Sequence, residues 1–256
     1  MLPPSEAKTS PRRGRPVDVD ALSFPALAPV RRKVVDALAE ASGRPDALDV
    51  LGVGASLADE VARNTSLHEG VAGPARGVYT GVLYGAAGLD RLTPTGRARA
   101  AEHVRIISGL WGVVTPEDVV PAYRLSMGTD LPGIGPLAAA WRAPLAEVLD
   151  PQADGQLVVD CRSAAYLAAW TPPRSADWVT VRVERELDGV RSVVSHHAKH
   201  TRGVLTRHIL TRRGRVPRDA EQLARVASEL VGDELLAVEL APRKGRGARV
   251  MSLVVA

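Results

Sequence analysis

The chain has 256 residues, 45% of them hydrophobic, which suits one large domain or two small ones and excludes disorder throughout. No run reaches the roughly 18–20 uncharged apolar residues of a membrane helix, and the first residues lack the basic-then-apolar pattern of a secretory leader. A cytoplasmic protein with no membrane attachment is expected, and the single Cys161, which has no internal disulfide partner, is read as a small buried residue in a reducing compartment.

The net charge is only +4, but it is unevenly placed. Between Val190 and Arg218 stand eight Lys or Arg, four of the six His and no acid, so the whole positive excess falls in this stretch. Only four of the 33 basic residues are lysines: Lys8, Lys33, Lys199 and Lys244.

In chain order, Met1-Leu2 runs straight into Pro3-Pro4, which leaves no room for a strand before the prolines. Val30, Val34, Leu38 and Ala41 recur at helical spacing and predict a helix over Ala28 to Ser42, with a second over Leu57 to Asn64. Val78 to Tyr84 is strand-like, Pro94 opens a helix to about His103, and Val104 to Ile107 suits a buried strand. Thr115-Pro116-Glu117-Asp118 carries a cap residue, a proline and an acid in the order that starts a short helix. A helix is predicted over Leu137 to Leu149, then a central strand at Leu157 to Asp160. Trp178 to Glu184 and Val190 to His196 alternate about Asp188-Gly189, a hairpin signal. The basic stretch Lys199 to Arg213 follows as a helix, then a helix over Asp219 to Leu230 and strands at Leu235 to Leu240 and Arg249 to Val255. Helices and strands mix without regular alternation, so one α+β domain over residues 1–256 is the economical reading.

On the basic helix, Lys199, Arg202, Thr206 and Arg213 fall within about 60° of one another and form one stripe. Its first turn offers Lys199, His200 and Arg202 where acids are normally favoured, so an anion at the helix end would relieve the repulsion, with Gly203 allowing close backbone approach. A solvated basic face is the competing reading. Leu131-Pro132-Gly133-Ile134-Gly135-Pro136-Leu137-Ala138 matches the hairpin of a helix-hairpin-helix motif, whose glycine N–H groups, here Gly133 and Gly135, reach DNA phosphates. An ordinary Gly/Pro turn explains it as well. The same run passes as a dinucleotide fingerprint, but no apolar strand precedes it and Pro136 has no N–H to offer, so that reading is rejected. Common catalytic signatures are absent. His196 and His197, read as strand neighbours, would face opposite ways, so no metal is expected, and no cofactor is expected. An activated Cys161 thiolate beside Arg162 is less favoured than a buried, inert thiol.

Five blocks, Ser5-Glu6-Ala7-Lys8-Thr9, Val78-Tyr79-Thr80-Gly81, Arg105 to Val114, Pro121-Ala122-Tyr123-Arg124-Leu125-Ser126-Met127-Gly128 and Ala198-Lys199-His200-Thr201-Arg202-Gly203, resemble the YaaA peroxide-stress family in order. The resemblance implies the mixed α/β body called the cantaloupe fold, a helix-hairpin-helix element, and a basic cleft that binds duplex or distorted DNA. It also implies a part in surviving hydrogen peroxide, by limiting iron-dependent DNA damage. Carried over by position, it singles out Ser5, Lys8, Thr9, Tyr79, Thr80, Gly81, Ser108, Gly109, Tyr123, Arg124, Met127, Lys199, Arg202 and Gly203; Arg207 joins them as a phosphate contact on the basic helix. Family members usually begin with an apolar strand before the first block, so an N-terminal strand is expected to be truncated here and the support of Lys8 weakened. The alternative to DNA is an enzyme acting on a phosphorylated or nucleotide-like small molecule in the same cleft.

Overall fold

A computed structural model describes residues 1–193, 196–243, 245 and 247–256, the side chain of His196 excepted. Its centre is a five-stranded mixed sheet ordered Ala237–Leu240, Arg249–Val255, Asp177–Leu187, Leu157–Asp160, with Val190–Val193 also paired to Asp177–Leu187. The strand Asp177–Leu187 runs parallel to both Arg249–Val255 and Leu157–Asp160, while the outer pairings are antiparallel. The hairpin turns where the sequence predicts it, with Asp188 (φ 51°) and Gly189 (φ 76°) both left-handed, the twist that a two-residue turn requires. The predicted second strand reaches Val193; residues 194 and 195 lie outside the described set, and His196 already begins a helix.

The predicted helices Ala28–Ser42 and Pro94–His103 and the strand Arg249–Val255 form over those spans. Ala58–Arg63 and Ala220–Ser228 are helical within their predicted bounds, and Leu137–Ala153 runs four residues past the expected end at Leu149. One apolar cluster extends from Leu2 to Leu253 and takes in Leu38, Trp111, Trp141 and Met251. Arg31, wholly buried on the first long helix, donates to the carbonyls of Ser23, Phe24, Trp111 and Val113 and so ties that helix to the strand Gly112–Val114. Its charge is buried against backbone dipoles, where unsatisfied carbonyls would otherwise be costly.

Several expectations are corrected. Val78 to Tyr84 is not a strand: a helical turn Ala75–Val78 and a helix Val82–Ala87 flank Tyr79, which makes only an isolated bridge with Lys8. The Ser5 hydroxyl accepts the Gly81 N–H at 2.6 Å and pins the start of the second helix. Thr115 to Asp118 is a turn, because the Asp118 carboxylate accepts the N–H groups of Thr115 and Ser23, both at 2.7 Å, and closes a loop instead of capping a helix. The strand Leu157–Asp160 stands at the end of its sheet, and the two residues before the prolines do pair beside it. The Cys161 N–H donates to the Met1 carbonyl at 3.0 Å, and Leu2 bridges Ile106 through bonds with the Arg105 carbonyl and the Ile107 N–H. Met1 and Leu2 thus link the main sheet to the small antiparallel pair Ile106–Ser108 and Gly112–Val114.

Candidate functional site

The first, second, third and fourth matched blocks meet. Lys8 is held by the bridge to Tyr79, by Thr9 N–H to the Val78 carbonyl at 2.9 Å and by Thr80 N–H to the Ala7 carbonyl at 3.2 Å. Its ammonium lies 4.2 Å from the centre of the Tyr123 ring and 5.8 Å from that of Tyr79. The two phenols are hydrogen-bonded at 3.0 Å, and Tyr123 continues to the Ser108 hydroxyl at 2.6 Å. Ser108 in turn accepts the N–H groups of Leu110 and Trp111, so the aromatic floor is fixed to the backbone. Burial above all raises the pKa of Tyr79 and Tyr123 well above the ordinary phenol value, and both stay neutral. Thr9 and Thr80 share a hydroxyl contact of 3.2 Å at the exposed rim.

Arg124 completes the group. Asn64 grips its backbone by accepting the N–H and donating to the carbonyl, both at 2.8 Å. Its guanidinium is loosely placed between Glu60 at 3.5 Å and Glu6 at 3.9 Å. Burial and then the Arg124 charge lower the Lys8 pKa from 10.5 to about 7, against the opposing pull of Glu60 and Glu6. Lys8 makes no ion pair among the described residues, and its one hydrogen bond, to the Glu6 carbonyl, is 3.5 Å long. Tyr166, which no sequence signal marked, also borders this place: burial first pushes its pKa up to about 12, and Met127, Glu6, Arg124 and Ser126 are its neighbours.

The fifth block lies on the basic helix. The basic helix is His196–Thr211, three residues earlier than predicted, so its first turn holds His196, His197, Ala198 and Lys199, and Arg202 falls in the second. It ends where Arg99 donates to the carbonyls of Arg212 and Gly214, whose φ of 104° breaks the helix. The predicted stripe is not one exposed face: Thr206 is buried, Arg202 is half-buried, and Lys199 and Arg213 are exposed. Arg202 donates twice to the Val181 carbonyl, at 2.7 and 3.1 Å. Gly203 does approach a backbone closely, but that of the helix Val82–Ala87: a Cβ there would stand 2.3 Å from the Leu83 carbonyl oxygen. Arg207 lies over the end of the same helix, where its guanidinium and that of Arg91 both crowd the position of a Gly88 Cβ. No described hydrogen bond or ion pair joins Lys199, Arg202 or Arg207 to the Lys8 group; the helix Val82–Ala87 meets Ser5 at its start and packs on Gly203.

Gly133 (φ 80°) lies in the tight turn between the short strands Asp130–Leu131 and Gly135–Pro136, and Gly135 (φ 85°) begins the second of them, directly before the helix Leu137–Ala153. Residues 104–129 contain no helix, so the hairpin lacks the first helix of the expected motif. Cys161 is buried, and burial raises its thiol pKa. Next to it Asp160 and Arg162 form a buried ion pair that also receives Trp178, a structural knot. A cavity of about 250 Å³, lined by Met1, Arg105, Gln152, Cys161, Thr206 and Leu210 among others, has only Thr206 of the predicted stripe, and none of the residues singled out by the family resemblance, in its wall. Among the described residues no group of three or more His, Cys, Asp or Glu is gathered for a metal, and no helix is long and apolar enough to cross a membrane.

The chain is thus a mixed α+β body in which a half-buried lysine lies over a tyrosine floor beside a half-buried arginine, with a basic helix besides. A family model described as peroxide stress protein YaaA matches residues 1–229, and the chain belongs to that family. It is 44% identical over 249 residues to a UPF0246 protein of Streptomyces coelicolor, covering 96% of this chain and 94% of that protein. A UPF0246 protein of Corynebacterium efficiens is 41% identical over 232 residues, 89% of each chain.

Proposed function

We propose that this peroxide stress protein binds DNA through the exposed cations of residues 199–218 and thereby limits iron-dependent oxidative damage to it. The observation that carries the reading is the lack of compensation there. Of the eight Lys and Arg between Val190 and Arg218, Arg191 and Arg212 are paired with carboxylates and Arg202 is engaged by a carbonyl, whereas Lys199, Arg207, Arg213, Arg215 and Arg218 have no carboxylate partner among the described residues. All five are exposed. Uncompensated cations on one helix and its following turn favour a polyanion read by its phosphates and not by its bases. Anisotropy with a short duplex across a salt series tests this: log–log slopes near −4 to −5 are expected for about five phosphate contacts. Absence of binding at low salt overturns the reading. Nicking of supercoiled plasmid by iron and peroxide, slowed by the protein, tests the protective half.

A second reading, a small anionic ligand held by Lys8 and Arg124, is favoured by one observation: an ammonium half-buried on aromatic faces with no ion-pair partner among the described residues. Such a site is too sheltered for a duplex but suits a carboxylate or phosphate.

A further inference from the structure

The lysine of the aromatic floor is better built for bond formation than for a salt link. A lysine that serves as a point charge stays solvated or meets carboxylates squarely. Lys8 does neither. Its backbone is clamped on both sides by bonds to the Val78 and Thr80 main chain, its ammonium is laid over Tyr123, and its one hydrogen bond is at the outer limit of length. The charged groups facing it are Arg124, Glu60, Glu6 and Arg63, and the guanidinium of Arg124 is the strongest of these influences. A pKa of about 7 leaves roughly half the amine neutral at physiological pH, with its lone pair free.

We propose that Lys8 is a nucleophilic amine that forms an imine with a small carbonyl compound whose carboxylate or phosphate is held by Arg124. The idea rests on the second reading of the site, the anionic small ligand, and adds covalent chemistry to it. The neutral nitrogen attacks the carbonyl carbon, and the carbonyl π electrons pass to oxygen, which takes up the proton that nitrogen loses. The resulting carbinolamine then expels hydroxide as water with one further proton, giving a C=N bond and returning that proton from nitrogen to the medium on deprotonation. No oxidant or reductant is consumed. The tyrosine floor contributes no charge, because both phenols are neutral and fixed by Ser108, so it shelters the amine without pairing with it. Arg124 has the freedom to take an anion, since its two carboxylate neighbours stand at 3.5 and 3.9 Å and not in a close fork.

The scarcity of lysine makes the test clean. The intact protein is incubated with glyoxylate and cyanoborohydride, digested, and each lysine scored by mass for the reduced adduct. Lys8 is expected to be labelled at least about tenfold faster than the exposed Lys33 and Lys199, with a half-maximum near neutral pH set by its lowered pKa. Arg124→Gln also lets the Lys8 pKa rise, so it is expected to slow labelling by both aldehydes, but that by glyoxylate several-fold more than that by neutral propanal at the same pH. Lys8 labelled no faster than Lys33 overturns the proposal, as does labelling by glyoxylate that ignores Arg124→Gln. Oxalate, an anion without an aldehyde, separates the two levels. An oxalate-induced rise in melting temperature that needs Arg124, together with untrapped Lys8, overturns the imine and keeps the anion site. No oxalate effect and no trapping removes both.

Discussion

At the scale of single residues, Lys8 shows how environment outweighs residue type. An ammonium that is half-buried beside Arg124 is destabilised in the folded protein, and its pKa falls from 10.5 to about 7. The unfolded chain therefore binds more protons than the native one between those values, so this group makes stability rise with pH across that window and costs most below it. Lys8→Met is expected to raise the melting temperature relative to wild type at ~pH 6, and the gap should shrink as pH approaches ~10. A gap independent of pH would mean that the lysine is solvated in solution. The sequence marked Lys8, Tyr79, Ser108, Tyr123 and Arg124 through the matched blocks, and these five do meet. It held no sign of Tyr166, Asn64 or Glu60, because each joins the group through loops or helices far away in the chain, without a local pattern.

At the scale of elements, the crossing of the basic helix over Val82–Ala87 is decided by one missing side chain. Gly203 reads in sequence as room for an anion, but the room is taken by the Leu83 carbonyl and Ala86. Gly203→Ala is expected to cost about 1–3 kcal/mol through overpacking, read as a lower denaturation midpoint. Unchanged stability would place the two helices further apart than described. Gly112 works the same way: with φ at 69°, a Cβ would strike the Trp141 ring, whose Nε1–H donates to the Gly109 carbonyl at 2.8 Å. The regular helices and the hairpin were legible because spacing and turn residues are local. The Thr115 to Asp118 turn was not, because its acid serves Ser23 as well as its own loop.

At the scale of the whole molecule, the basic residues divide between holding the fold and facing outward. Neutralising Lys199, Arg207 and Arg213 to Gln should leave the melting temperature nearly unchanged and reduce the salt slope of DNA binding by about one for each phosphate left without its cation. Arg202→Gln should instead lower stability by about 1.5–3 kcal/mol, because its guanidinium is bonded to the Val181 carbonyl between helix and sheet. The reverse pattern in urea melts and binding isotherms would assign the roles the other way. Composition and order of residues alone determined the mixed helix and strand content, the family, and the concentration of positive charge in residues 190–218, since propensity, turn chemistry and charge are local properties. Only the folded structure decided that Lys8 lies on a tyrosine floor beside Arg124 while Arg202 and Gly203 serve packing, because burial and partnership depend on contacts between segments that are distant in the chain.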